Sequence, residues 1–314
     1  MGDLLERISR DLLVRLQDLD YLARSAPYRY KVYEIKKRTP GKTRVIAQPA
    51  REVKRLQYWV IKNVLRRYPI HSAALAYRKG KGIFKNAGAH AKGRYLLKLD
   101  FTDFFHSIKG ADLKRFIGEH QWASLDESDL NYLVRILFWM PMRDGDFVLS
   151  IGAPSSPMLS NLLLYEFDRR VAAYCKPIGV IYTRYADDLT FSTNAKGVLA
   201  TVEREVVHIC RALPYPRLSL NREKRVHASR AGQRRVTGLV LSNDGSVSLG
   251  RERKRGLHAA VHRYKLGKLN AEETTRLAGM LAFVHSVEPR FIRVLARRYG
   301  KDVVSRLFRA NQPE

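Results

Sequence analysis

The chain reads as an α+β protein: a small sheet with helices packed on it, then a basic helical tail. Three observations predict this. Short runs of alternating or β-branched residues occur at 30–35, 43–47, 94–101, 180–184 and 189–192. Longer stretches between them carry apolar residues every three or four positions. From 251 onward only the helical pattern persists.

In order, Leu4, Leu5, Ile8, Leu12, Leu13, Leu16 and Leu19 form one stripe, which predicts a single opening amphipathic helix. The strands at 30–35 and 43–47 are joined across a Thr39-Pro40-Gly41-Lys42 turn. Residues 51–68 read as a helix, and 94–101 as a strand leading into Asp100. A long helix is predicted over 157–175, with Leu159, Leu162, Leu163, Phe167 and Val171 on its apolar side. A hairpin centred on Tyr185-Ala186-Asp187-Asp188 follows, then a helix over 197–213 stopped by Pro214 and Pro216. Residues 217–221 and 235–242 are β-like runs. The tail divides into three helices, the second opened by an Asn270/Glu273 capping box and the third set off by Pro289. There is no internal repeat and no low-complexity linker.

Charge narrows the partner. The 314 residues hold 58 Lys and Arg against 30 Asp and Glu, a formal +28. Residues 211–314 alone hold 23 basic and 8 acidic side chains. Basic surface gains affinity for a polyanion by releasing its condensed counterions, so nucleic acid is the expected partner. No apolar run reaches membrane-spanning length, and Asp3, Glu6 and Asp11 stand where a signal peptide would be basic. Cys175 and Cys210 have neither metal-type spacing nor a disulfide framework, which fits a reducing cytoplasm.

The chemistry concentrates at the 185–188 hairpin. Two adjacent carboxylates repel, and a hard divalent cation bound through their oxygens relieves the repulsion. A solvated turn would account for an Asp pair alone. A third carboxylate, Asp100, closes the apolar strand Leu97-Lys98-Leu99 and can face the pair across the sheet. Asp100 and Asp187 would then hold two Mg²⁺ ions, with Asp188 beside them, and two such ions clamp both oxygens of an in-line phosphoryl displacement. Asp103 is expected to cap or pair locally.

These residues resemble motifs A and C of reverse transcriptases, and Gly152-Ala153-Pro154-Ser155-Ser156-Pro157 between them is similar to motif B. The resemblance implies a right-hand polymerase with fingers, a ferredoxin-like palm and an α-helical thumb. Residues 1–245 would hold the interleaved fingers and palm, and 246–314 the basic thumb. It implies a metal set of Asp100, Asp187, Asp188 and the Phe101 backbone. Gly152, Pro154 and Tyr185 would lie against the template–primer. Phe105 occupies the steric-gate position, where a ring under the sugar selects dNTPs, and Arg44 matches a fingers arginine that grips the triphosphate. Lys37 is either an assistant to Arg44 or a solvated lysine. Asn221-Arg222-Glu223-Lys224 resembles motif D, where Lys224 is either the general acid for departing pyrophosphate or a plain phosphate contact. One departure is Ile151, where the family usually has Gln beside the incoming nucleotide.

Two further strings resemble motifs of retron reverse transcriptases: Asn86-Ala87-Gly88-Ala89-His90 and Val236-Thr237-Gly238. That resemblance implies a cognate structured non-coding RNA, primed from the 2′-OH of an internal guanosine to leave a branched RNA–DNA molecule (msDNA). It also implies a separate effector protein and a role in anti-phage defence. The tail would read the RNA stem-loop, with Arg251, Arg253, Lys254 and Arg255 as contacts, or as a solvated helix face. Three rivals stay open. A reverse transcriptase of the intron or diversity-generating type is expected to bring further modules. An RNA-dependent RNA polymerase usually has a hydrogen-bonding gate and Gly before the Asp pair, where this chain has Phe105 and Ala186. A non-catalytic RNA-binding scaffold would have no use for three carboxylates.

Overall fold

In the computed structural model, which describes residues 3–36, 41–120 and 125–310, the chain opens with two helices, α1 (Asp3–Leu12) and α2 (Leu16–Ser25). The single predicted helix is broken at Leu13, which takes φ 53° and lies 92% exposed. The Val14 amide bonds back to the Ser9 carbonyl at 3.2 Å, a left-handed helix stop that leaves Leu4, Leu5, Ile8 and Leu19 buried on either side. Strands β1 (Tyr30–Lys36) and β2 (Thr43–Pro49) form a two-stranded hairpin, exposed over most of its length. Lys37, Thr39 and Pro40 lie outside the described residues. Helix α3 (Arg51–Asn63) ends earlier than expected, and a 3-10 turn, Leu65–Arg67, completes the segment.

Helix α4 (Ile83–His90) precedes β3 (Tyr95–Asp100), and α5 (Gly110–His120) and α6 (Glu127–Leu137) follow it. These three helices were not foreseen; their apolar repeats are too short to stand out. The predicted 157–175 helix is two, α7 (Ser156–Leu163) and α8 (Tyr165–Cys175), interrupted at Leu164, whose ψ is 9°. Then come β4 (Ile181–Tyr185), β5 (Asp188–Thr193), α9 (Val198–Ala212) and β6 (Val226–Ser229). Residues 217–221 make no strand of their own; Leu220 only bridges to Phe101.

The main sheet is antiparallel throughout, in the order β4-β5-β3-β6. Strand alternation sorts its faces. Tyr182, Arg184, Leu189 and Phe191 share one face, with the Tyr182 and Phe191 rings stacked at 5.0 Å. Thr183, Thr190 and Ser192 share the other, facing α4. The first face meets a large core that includes α1–α3 and α5–α9. Cys175 and Cys210 are buried in it as free thiols.

A second core begins beyond the sheet. The run at 235–242 folds back on itself as β7 (Arg234–Val236) and β8 (Leu239–Leu241), with β9 (Val247–Ser248) alongside. Thr237 (φ 46°) and Gly238 (φ 80°) make the two-residue turn, both in the left-handed region that such hairpins require. The tail forms four helices rather than three: α10 (Arg251–Lys265), α11 (Ala271–Val287), α12 (Pro289–Tyr299) and α13 (Lys301–Arg309). The Asn270/Glu273 capping box and the Pro289 start are both present; the extra break falls at Gly300, with φ 110°. These helices bury Leu257, Leu281, Leu295 and Leu307 against Val236 and Leu239, and against Ala87 and Ala91 from the α4 region.

Candidate active site

Strand pairing assembles the carboxylates. Strands β4 and β5 are joined by only Ala186 and Asp187, with Tyr185 opposite Asp188 and Ala186 at φ 58°. In the next pairing Asp100 stands opposite Asp188, and the Phe101 amide donates to the Asp187 carbonyl at 3.2 Å. The strand end and the turn are thus bonded together, and all three acids share one edge. Asp103 stays local, its Oδ1 on His106 Nδ1 at 2.8 Å.

The electrostatics are those of crowded acids. Burial raises the pKa of Asp187, and the Asp100 charge adds to it. Burial likewise raises Asp188, against the pull of Lys98. Burial raises Asp100 despite Lys224, whose Nζ lies 2.6 Å from its Oδ1. The Asp188 charge also pushes Asp100 upward. Among the described residues no group of three His, Cys, Asp or Glu side chains is already arranged to hold a metal ion. The donor set nevertheless suits a hard cation that keeps open positions: its oxygens are anionic and mutually repelled, and one already accepts an ammonium group. Lys224 reaches Asp100 because the Asn221 amide bonds the Asp100 carbonyl at 2.8 Å, while Asn221 Oδ1 caps the following turn through the Glu223 amide.

Beside the tip opens a cavity of about 360 Å³, lined by Phe105, Tyr77, Ile151, Gly152 and Pro154. Phe104 is a core aromatic, stacked on Phe101 at 5.6 Å, whereas Phe105 is half-buried and turned edge-on to Phe104. Gly152 is required by close approach. At φ 129° its backbone lies against β2, where a Cβ would sit 2.9 Å from the Ala47 carbonyl oxygen. The Ala47 amide donates to the Ile151 carbonyl at 3.0 Å, so this loop seats the exposed β1–β2 hairpin. Arg44, on that hairpin, exerts its charge on both Asp187 and Tyr77. Sequence reasoning missed Tyr77, Lys54 and Tyr58, which also line the cavity. The i, i+4 spacing of Lys54 and Tyr58 on the helix was a usable signal; the Tyr77 backbone, at φ 62°, left none.

The Asn86–His90 and Val236–Gly238 strings lie away from this tip and meet each other across α4. His90 is fully buried, its Nδ1 2.8 Å from Ser192 Oγ and its Nε2 2.7 Å from Thr183 Oγ1. Thr183 spends its one proton on Asn86 Oδ1 at 2.6 Å, so it accepts from Nε2–H of the ring. Burial holds the His90 pKa down to about 3. The Thr237 hydroxyl donates to the Ile83 carbonyl at the start of α4, and Val236 packs in the core that Ala87 enters. Buried Arg234 adds a further tie, donating to the Ser242 carbonyl at 2.9 Å and to the carbonyl of Gly93.

Gly238 and Arg235 line a second, larger groove of about 1360 Å³ with Arg251, Arg253 and Arg255. The three α10 arginines are exposed. Lys254 is held in an ion pair with Glu288 at 2.5 Å, over the Phe291 ring.

Comparison with known proteins gives the family. Residues 35–241 match the reverse transcriptase (RNA-dependent DNA polymerase) family model, and the chain belongs to that family. It is an enzyme that makes DNA on an RNA template. Within the family it stands among the retron reverse transcriptases. It is 40% identical to the retron Ec83 reverse transcriptase of Escherichia coli, over 91% of this chain and 92% of that one. It is 31% identical to the Escherichia coli retron Ec86 enzyme, over 96% and 92%. It is 33% identical to the Myxococcus xanthus retron Mx162 enzyme, over 83% of this chain and 58% of that one. A Candida albicans telomerase structure aligns with 92% of this chain and 56% of its own, at 13% identity and TM-score 0.46. No helix among the described residues is long and apolar enough to cross a membrane.

Proposed function

We propose that this reverse transcriptase copies one cognate structured non-coding RNA into single-stranded DNA. Synthesis starts from the 2′-OH of an internal guanosine and leaves a branched RNA–DNA product, msDNA. The observation that carries the reading is the pairing of Asp100 with Asp188, beside the Asp187 turn. On this reading residues 1–245 are the fingers and ferredoxin-like palm of a right-hand polymerase, and 246–314 its RNA-binding thumb.

Asp100, Asp187, Asp188 and the Phe101 backbone would hold two Mg²⁺ ions. When bound, these supply the positive charge that favours attack on the α-phosphorus and departure of pyrophosphate. The chain's own residues do the rest. Arg44 binds the triphosphate of the incoming dNTP, and Lys224 meets the phosphates or protonates the leaving pyrophosphate. The Phe105 ring lies under the sugar and excludes a 2′-OH. Gly152, Pro154 and Tyr185 support the template–primer, while Arg251, Arg253 and Arg255 contact RNA phosphates. The enzyme works in the cytoplasm with a separate effector protein in defence against phage.

The test is to purify the protein from its host and extract the bound nucleic acid. A short single-stranded DNA joined to RNA through a debranching-sensitive linkage is expected. Asp187→Ala with Asp188→Ala should abolish that DNA and leave the RNA bound. Recovery of RNA alone from the unaltered protein when dNTPs are present would sink the reading.

A further inference from the structure

Beneath the acidic turn lies a charge pair that the reading above does not use. Arg184 and Asp168 are both 0% exposed. Two hydrogen bonds run in parallel, Nη2 to Oδ2 at 2.6 Å and Nε to Oδ1 at 2.9 Å, and the Tyr182 hydroxyl donates to Oδ1 at 2.7 Å. Desolvating both charges costs about what their attraction returns, and apolar replacements are often as stable. Stability therefore does not explain the pair. What a guanidinium adds over an apolar side chain is a rigid fork of donors at fixed angles.

The remaining arm of that fork points at the active site. Arg184 Nη1 donates to the Ala186 carbonyl at 3.2 Å and to Asn161 Oδ1 at 3.1 Å. Asn161, also fully buried, passes the link on: its Nδ2 donates to the Ala76 carbonyl at 3.0 Å. The Ala186 carbonyl belongs to the peptide immediately before Asp187, and the Ala76 carbonyl to the peptide immediately before Tyr77. Each anchored peptide adjoins a left-handed residue, Ala186 at φ 58° and Tyr77 at φ 62°, which must be held against its own preference. The Arg184 backbone clasps the same segment, its amide on the Ala73 carbonyl at 2.8 Å and its carbonyl on the Leu75 amide at 2.9 Å.

We propose that Arg184, with Asn161 as its extension, is a positioning residue that fixes two peptide planes at once. One aims the Asp187 carboxylate, and the other sets the Tyr77 wall of the cavity beside Phe105. Neither side chain touches substrate. This inference rests on the active-site reading above.

Two variants separate the arms. Arg184→Lys keeps the buried charge and loses the fork. In the RNA-bound full chain it should weaken Mn²⁺ binding, followed by electron paramagnetic resonance, by about tenfold and lower kcat similarly. Asn161→Ala removes no charge, frees the Ala76 carbonyl and leaves Arg184 Nη1 its bond to the Ala186 carbonyl. It should raise the dNTP KM about fivefold while leaving Mn²⁺ affinity and kcat near the unaltered values. Thermal melting reports folding in each case. If Arg184→Lys does not fold, the apolar pair Asp168→Leu with Arg184→Met replaces it, with the same expected loss of Mn²⁺ affinity. A folded fork-less variant with unaltered Mn²⁺ affinity and kcat overturns the proposal, as does an Asn161→Ala enzyme with unaltered dNTP KM. Asp187→Ala is the control for the underlying site: if it retains full Mn²⁺ binding and DNA synthesis, the site assignment fails, not the role of Arg184.

Discussion

Single side chains at the tip trade stability against chemistry, and the trade has a sign. Burial lifts Asp100, Asp187 and Asp188 above the usual carboxylate value, so over that window the folded chain binds more protons than the unfolded one. Their stabilising contribution is therefore present at low pH and lost as pH rises through the raised values. At neutral pH, without a divalent cation, the trio strains the fold. Asp188→Asn is expected to stabilise the cation-free protein by on the order of 1 kcal/mol, and to end DNA synthesis. Melting curves in chelator and in Mg²⁺ check this: Mg²⁺ should raise the melting temperature of the unaltered protein more than that of the variant. Phe105→Ala opens the floor of the cavity and should cut discrimination against ribonucleotides at least about tenfold, read from kcat/KM for matched dNTP and NTP. Both predictions concern residues visible in the linear motifs. Arg184 was not legible there, because its partners lie at 161, 168 and 186 and only the folded chain gathers them.

Among the elements, α4 is the joint. One side presents Asn86 and His90 to the back of the β4–β5 hairpin, and Ala87 faces the core of the tail. The Asn86–His90 and Val236–Gly238 strings thus make structural contacts between two parts of the molecule. Their strings were legible, but the helix was not, since eight residues show barely two turns of pattern. His90 carries a pH signature. Its folded pKa is depressed to about 3, so stability present above the ordinary value of 6.5 drains away as pH falls below it. His90→Leu should cost about 2 kcal/mol by removing the partner of the Ser192 hydroxyl and leaving Thr183 only its bond to Asn86. Denaturant titrations at pH 7.5 and pH 5.5 (about one unit either side of the ordinary histidine value) should then show a smaller acid loss in the variant. Breaks inside helices were equally hidden. Leu13 lies in a predicted apolar stripe and Leu164 inside a predicted helix, and the interruptions at both positions are backbone features that periodicity does not record.

At the scale of the whole molecule, charge is the legible property and its placement is not. The composition announced a polyanion, and the structure separates the basic residues by use. Arg251, Arg253, Lys254 and Arg255 all line an open groove, but among the described residues Lys254 alone of the four is ion-paired there, with Glu288 at 2.5 Å. Changing those three arginines to glutamine should weaken RNA binding and lower the slope of log K against log salt by about 2, at roughly 0.7 per lost phosphate contact. Filter-binding isotherms across a salt series measure it. The sheet order was within reach of the sequence once the acidic motifs were aligned, because pairing Asp100 with Asp188 specifies β3 beside β5. The separation of the tail core from the large first core was not, because the tail core recruits residues as distant as Ala87 and Leu307.

The cysteines turn that division into something measurable. Cys175 and Cys210 both belong to the first core, and burial pushes both thiols up to about 12, so the folded enzyme should resist alkylation at neutral pH. The tail core has no thiol among its residues. Pulsed alkylation at increasing denaturant would act as a clock on the first core alone, while tryptophan-independent circular dichroism follows helix loss everywhere. If the tail opens first, ellipticity will fall before either sulfur is labelled. Simultaneous loss would mean that α4 locks the two into one cooperative unit.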